Sequence, residues 1–427
     1  MNTSIKKVAV IGLGYVGLPT YVALLKSGKY EVVGYTRSQK KVNAINQGIS
    51  PIEDADVIAY LKTHKVHVTN KQNELKDCQV FIICVPTPVK DDYVPDYEPV
   101  ISATQLVAPF MKRGSHYVLE STVNPGTCEE IVAPILQKET GLKAGIDFNI
   151  AHCPERINPG DPKWNIYNIN RNIGSISKKM NREVAAFYRT FISEGIINEV
   201  NSLKVAEATK IIENTFRDIN IAYVNELAQS FDIMGIDLHE TIKASSNKQF
   251  AFMPHWPGCG VGGHCIAVDP YYLIRRASLD GFNHQFLKNA REINNSMPAY
   301  TIQRLLLALN EVQLPLKGTK VALLGLSYKP NIGDIRESPS LIIEKELKEL
   351  GADISVYDPY VQRAEKNLFQ VVKNAKAIIV ATAHKEIREQ LLALLPKTKV
   401  KVIVDGRNCL DKEKIIKCGI VYRGIGR

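Results

Sequence analysis

A chain of 427 residues exceeds what one ordinary hydrophobic core holds, so two or three domains are expected. Hydrophobic residues at 45% and charged residues at 23% are ordinary for a folded soluble protein and exclude a disordered chain, while no apolar run approaches the ~20 residues of a membrane span. The formal charge of +10 comes without a long Lys/Arg run, a basic amphipathic helix or a nucleic-acid recognition module, and reads as a solvated basic surface suited to ligands that carry pyrophosphate.

The first 200 residues alternate short β-branched runs with helical stretches, the pattern of a parallel sheet covered on both faces. Strands are predicted over Lys7–Gly12, Glu31–Tyr35, Val80–Val85, Tyr117–Ser121 and Phe148–Cys153, with turns at Asn124-Pro125-Gly126 and Asn158-Pro159-Gly160. Gly12-Leu13-Gly14-Tyr15-Val16-Gly17 follows the first strand and opens a helix. In that setting the first glycine permits the tight turn, the second admits a pyrophosphate to the backbone, and the third brings helix and strand together. The helix N-terminus offers free N–H groups to the phosphates. The second strand normally ends in an acid that binds the ribose 2′-hydroxyl of NAD. Here it ends in Thr36, Arg37 and Ser38, which could instead accept a 2′-phosphate, so both NAD and NADP stay open, with NAD ahead.

From Leu203 to about Met234 apolar residues recur at three- and four-residue spacing without Pro or Gly, predicting one long helix. Its ~45 Å would link domains and offer a dimerisation face. Then comes Pro257-Gly258-Cys259-Gly260-Val261-Gly262-Gly263-His264-Cys265-Ile266-Ala267-Val268-Asp269-Pro270. Cys265 is placed like a nucleophile, at the end of a flexible glycine-rich loop and at the start of a helix, where a thiol ionises more easily. His255, Cys259, His264 and Cys265 match no common zinc spacing, and no metal site is expected. The other cysteines form no CxxC pair and no framework. With no cleavable signal pattern at the N-terminus, they are expected as free thiols in the cytoplasm, Cys84 as a small buried hydrophobe. A second helical region is predicted from Asp269-Pro270 to about Val312, and Leu314–Gly318 reads as a boundary. Beyond it Lys320–Gly325 repeats the Lys7–Gly12 pattern, followed by a helix over Ser340–Leu350 and a strand over Asp353–Asp358. This second doubly wound unit lacks the further glycines of the first and should bind something other than a dinucleotide. The expected fold class is α/β: two Rossmann-like domains, residues 1–202 and 317–427, with a helical middle domain, 203–316, that carries the cysteine loop.

The glycine turn, the Cys265 loop, Gly325-Leu-Ser-Tyr-Lys-Pro330 and Asp334-Ile-Arg-Glu-Ser338 stand in an order that resembles the UDP-glucose/GDP-mannose dehydrogenase family over essentially the whole chain. The resemblance implies a four-electron oxidation of a sugar C6 hydroxymethyl to a carboxylate, for surface polysaccharide precursors. The aldehyde would be held on Cys265 as a thiohemiacetal and then a thioester. Lys210 and Asn214 match the family's catalytic lysine and asparagine, and their separation by four residues puts them on one helix face. Asp269 matches an aspartate that assists proton transfer, and Glu155, in Cys153-Pro-Glu-Arg-Ile-Asn-Pro-Gly160, a glutamate of thioester hydrolysis. Thr122 falls where the family contacts cofactor and water, Pro86 and Thr87 where it lines the dinucleotide, and Arg336 where it reaches the cofactor. Arg156, Lys210, Asn214, Tyr328, Lys329 and Arg407 fall among the expected nucleotide-sugar contacts. Val268 before the aspartate, and Arg156 after Glu155, resemble the branch acting on UDP-N-acetylhexosamines, either UDP-N-acetylmannosamine or UDP-N-acetylglucosamine. UDP-glucose, a two-electron hydroxy-acid dehydrogenase and a non-catalytic nucleotide-sugar sensor are the alternatives. The implied assembly is a homodimer or a multiple of one, with neither nucleic acid nor membrane as a partner.

Overall fold

Apolar residues in runs of four or five can be buried on both faces only in a sheet covered on both sides, and such runs form the centre of a first sheet of eight strands. They are β1 (Lys7–Ile11), β2 (Glu31–Tyr35), β3 (Val68–Thr69), β4 (Val80–Ile83), β5 (His116–Leu119), β6 (Asn149–His152), β7 (Arg171–Ser175) and β8 (Ile197–Glu199), in the order β3-β2-β1-β4-β5-β6-β7-β8. Alternate residues feed two cores: Val8, Val10, Ile82 and Val118 pack on one face, Ala9, Ile11, Phe81, Ile83 and Leu119 on the other. The computed structural model describes residues 5–90, 94–157 and 163–427, so the turn expected at Asn158-Pro159-Gly160 lies outside the described residues.

All pairs in this sheet are parallel except β6 with β7, which is antiparallel. The expected parallel sheet is thus interrupted by one antiparallel pair. Strands β3, β7 and β8 were not anticipated, because none carries a continuous or alternating apolar run. The predicted long helix runs from Leu203 to Met234. The helical region after Asp269 is two helices, Asp269–Leu279 and Gln285–Glu311, interrupted where Gly281 takes a φ of +89°.

The second sheet contains β9 (Lys320–Leu324), β10 (Asp353–Tyr357), β11 (Ala377–Val380), β12 (Val402–Asp405) and β13 (Val421–Gly424), all parallel, in the order β10-β9-β11-β12-β13. The chain divides into two compact units, Met1–Glu213 with Tyr271–Gly281, and Asn214–Pro270 with Phe282–Arg427. Among the described residues no helix is long and apolar enough to cross a membrane.

Candidate active site

In an open α/β sheet, ligands bind beyond the carboxyl ends of the strands, where the strand order reverses. In the first unit that point lies between β1 and β4, and Gly12–Gly17 occupies it. A Cβ on Gly12 would stand 2.7 Å from the Cys84 carbonyl oxygen, and one on Gly17 only 2.0 Å from the Gly12 oxygen. Nothing lies within 4 Å of a Cβ on Gly14, so its backbone is open to a ligand. The turn therefore fits a dinucleotide pyrophosphate. Tyr15 is exposed and Val16 half-buried at the helix entry. Thr36 is buried at the end of β2, its N–H donating to the Thr69 carbonyl, whereas Arg37 is exposed. At the end of β4, Pro86 is exposed and Thr87 buried, its carbonyl accepting the Tyr272 hydroxyl at 2.5 Å.

Thr122 and Lys210, both half-buried, also belong to the first unit. Glu207, one turn before Lys210 on the long helix, accepts the N–H of Gly126 at 2.6 Å and of Cys128 at 2.8 Å. The helix bearing Lys210 is thereby tied to the loop that follows Thr122. Ligand atoms of Cys128, His152 and Glu207 lie within 4.8 Å of one another. Both Glu207 oxygens are committed to amides and burial pushes the Cys128 thiol far up, so Glu207 acts as a buried cap of that loop. Glu155 is buried, with Oε1 3.0 Å from Arg171 Nη2 and Oε2 accepting the Ile157 N–H at 2.5 Å. Arg156 is anchored by Glu213 at 2.7 Å and donates to the Asn170 carbonyl at 2.9 Å.

In the second unit Cys265 is exposed, in a turn whose next helix begins at Asp269. The expectation that it opens the helix is corrected by four residues. Its carbonyl accepts the Asp269 N–H at 2.8 Å, so the cysteine closes the turn from which the helix grows. Asp269 is buried and its Oδ2 accepts the Asn214 amide at 2.5 Å, which links the asparagine to the cysteine turn. The glycines before Cys265 serve close packing rather than the anticipated flexibility. A Cβ on Gly263 would stand 2.6 Å from the Tyr328 ring, one on Gly258 2.7 Å from an Arg407 nitrogen, and one on Gly262 2.7 Å from the Glu337 carbonyl. The Gly263 N–H donates to the Arg336 carbonyl at 3.0 Å. Tyr328, Arg336 and Arg407 thus enclose the loop that delivers the thiol. Lys329 is half-buried, and Arg336 is exposed and paired with Asp334 at 2.6 Å. Arg407 donates from Nε to the Ala381 carbonyl at 2.8 Å.

The strand order of the second sheet reverses between β9 and β11, and Ser327-Tyr328-Lys329 follows β9. The amides after a first Rossmann strand usually await a phosphate. Here the Leu326 and Ser327 N–H groups donate to Asp358 Oδ2 at 2.8 and 3.0 Å, and His384 Nε2 lies 3.1 Å from the same oxygen. An internal carboxylate fills that nest, which gives a physical reason why this unit takes a ligand other than a dinucleotide. Asp358, His384, Glu207 and Arg171 were missed from the sequence. Only Glu207 left a signal, a charged residue on the inward stripe of the long helix.

A Rossmann turn, a second doubly wound unit and an exposed thiol beside a buried carboxylate define a nucleotide-dependent oxidoreductase class. The chain matches the NAD binding domain of the UDP-glucose/GDP-mannose dehydrogenase family over residues 6–192, its central domain over 204–296 and its UDP binding domain over 322–412. It is 38% identical to a UDP-N-acetyl-D-mannosamine dehydrogenase of Pyrococcus horikoshii, across 99% of both chains. It is 37% identical to a UDP-N-acetyl-D-glucosamine 6-dehydrogenase of Pseudomonas aeruginosa, across 96% of this chain and 98% of the other. The solved structure of the Pyrococcus horikoshii UDP-D-ManNAc dehydrogenase superposes with a TM-score of 0.92 at 37% identity, covering 99% of each chain. The chain belongs to the UDP-glucose/GDP-mannose dehydrogenase family, and is an NAD-dependent nucleotide-sugar dehydrogenase acting on a UDP-sugar.

Proposed function

We propose that the chain oxidises the C6 hydroxymethyl of a UDP-N-acetylhexosamine, UDP-N-acetylmannosamine or UDP-N-acetylglucosamine, to the uronic acid, in the cytoplasm and for surface polysaccharide precursors. Support comes from the two full-length relatives named for those sugars and from Val268 in place of a lysine before Asp269. The division of labour follows three segments: 1–202 holds NAD, 203–316 carries the thiol, and 317–427 holds the UDP group.

NAD would be held by Gly12–Gly17 with Thr36, Arg37, Pro86, Thr87 and Thr122, and would supply the hydride acceptor for both oxidations; Arg336 keeps the cofactor-contact role that the family resemblance implies. The Cys265 sulfur adds to the C6 aldehyde, keeping it on the enzyme between the two oxidations. Lys210 and the Asn214 amide stabilise the oxyanion of each tetrahedral species, a contribution of ~3–4 kcal/mol per donor. Asp269, buried against Asn214, holds that amide in place and relays protons. Water then attacks the thioester carbon, Glu155 takes its proton, the C–S bond breaks and the thiolate returns. Arg156, Tyr328, Lys329 and Arg407 hold the nucleotide-sugar, Arg407 offering a planar fork to pyrophosphate. The single observation that carries the reading is the exposed Cys265 closing the turn into buried Asp269 and Asn214.

The test is a panel of UDP-N-acetylmannosamine, UDP-N-acetylglucosamine and UDP-glucose, with NADH counted per sugar consumed. Two NADH per molecule of one N-acetylhexosamine is the expected result. One NADH per sugar, or Cys265→Ser turning over at the wild-type rate, removes the covalent route. A UDP-glucose preference removes the assigned branch. The exposed apolar side chains of the long helix support a homodimer.

A further inference from the structure

Strand β7 opens with a charge that the reading above does not use. Arg171 is completely buried in the first unit. Taking a guanidinium out of water costs several kcal/mol unless carboxylates offset it, and two stand beside this one. Glu155 Oε1 is 3.0 Å from Nη2, and Glu120 adds to the local field. Burial works against the arginine's charge, and the two carboxylates more than offset it, so its pKa is raised. Glu120 is engaged elsewhere: the Tyr188 hydroxyl donates to it at 2.6 Å and the Thr20 hydroxyl at 3.4 Å, and burial raises its own pKa. Glu155 is thus the carboxylate that Arg171 directly orients. Oε1 meets the guanidinium as a buried ion pair without hydrogen-bond geometry, while Oε2 accepts the Ile157 N–H, so the Glu155 head group is held by charge on one side and by an amide on the other. Oε1 is sealed from solvent, and Oε2, which accepts a single amide, keeps a second lone pair for a water. The antiparallel run of β7 against β6 returns the chain past the Cys153-Pro154-Glu155 turn and so places the cation there.

We propose that Arg171 is a positioning residue for Glu155, fixing the carboxylate that takes the proton from the water that cleaves the Cys265 thioester. The proposal rests on the thioester reading above. The step changes no oxidation state: a water oxygen lone pair bonds to the acyl carbon, the C–S pair leaves on sulfur as thiolate, and one water proton passes through Glu155 to solvent.

The experiment compares wild type, Arg171→Gln, Arg171→Lys and Glu155→Gln as full chains, using whichever UDP-N-acetylhexosamine the wild type oxidises. Steady-state kcat and KM, the first-turnover NADH burst and the intact mass after acid quench are read together. Arg171→Gln is expected to keep the burst and to hold KM within about threefold. Its kcat should fall at least about tenfold, a modest share of the ~10²–10⁴ of general-base help, and an acyl adduct should accumulate on Cys265. Arg171→Lys should recover part of kcat; it also serves as the test variant should Arg171→Gln not fold. A burst that falls in step with kcat, or a loss confined to KM, overturns the proposal. If Glu155→Gln accumulates the adduct and both arginine variants do not, the inference fails and the thioester reading stands. If Glu155→Gln turns over normally without adduct, Glu155 is not the base and the reading itself fails in that step.

Discussion

His152, at the end of β6, is fully buried, and burial pushes its pKa down to about 3 from 6.5. The unfolded chain therefore takes up a proton below pH 6.5 that the folded chain refuses. The sign follows: stability is lost as pH falls from 6.5 towards about 3, at ~1.4 kcal/mol per pH unit. Removing the imidazole removes that slope. Urea midpoints of wild type and His152→Asn, measured at pH 7 and pH 5.5, should show the variant less sensitive to acid. Equal acid sensitivity in the two proteins would mean that His152 charges inside the fold. At this scale the sequence was legible where composition is odd. Cys265 stood out by its glycines, and Lys210 and Asn214 by their four-residue spacing once the family pattern was recognised. Arg171 did not, because a single charge in a short polar strand looks like a solvent-facing residue. Only the antiparallel return of β7 brings it to Glu155.

The elements themselves were read more fully than their partners. Apolar runs fixed β1, β2, β4, β5, β6, β9 and β10 to within a residue or two, and the long helix to both ends. What escaped were β3, β7, β8, β11, β12 and β13; in β7 Ile173 is the one large apolar side chain of Arg171–Ser175, and Gly174 approaches the start of the long helix. A Cβ on it would stand 2.2 Å from the Ser202 carbonyl. The loop after β9 was recognised by its residues, but not what shapes it. Asp358 accepts two amides of that loop and the N–H groups of Tyr360 and Val361, while His384 takes the Asn331 N–H on its other ring nitrogen at 3.0 Å. Substituting Asp358→Asn sets an NH2 group against donors and removes charge-assisted bonds of ~1.5–3 kcal/mol. The loop that carries Tyr328 and Lys329 should loosen. The expected outcome is a KM for the UDP-sugar about tenfold higher, with the KM for NAD within about twofold, since the Gly12–Gly17 turn belongs to the other unit. Initial-rate kinetics with each substrate varied in turn decide it: equal losses for both would mean a global defect.

Across the whole chain the surface carries an excess of basic side chains, yet its long helix leaves large apolar ones in water. Ile212, Phe216 and Tyr223 are 59%, 47% and 57% exposed, and their spacing of four and seven residues sets them on one helix face. Phe250, Met253 and Trp256, in the segment that leads to the cysteine loop, are exposed as well. Scattered single apolar residues need no explanation, but a stripe along a helix of 32 residues does. A second copy of the same helix would cover it with the same residues, the self-complementary arrangement of a two-fold dimer. The +10 charge opposes close approach of two copies only weakly, because at physiological salt it is screened beyond ~8 Å. Sedimentation velocity at micromolar concentration should therefore give twice the chain mass for the wild type. Phe216→Asp with Tyr223→Asp should sediment as one chain, since each partner would bury two unpaired carboxylates at several kcal/mol apiece. Wild type sedimenting as a monomer at all concentrations, or the double variant remaining a dimer, would assign the stripe some other partner.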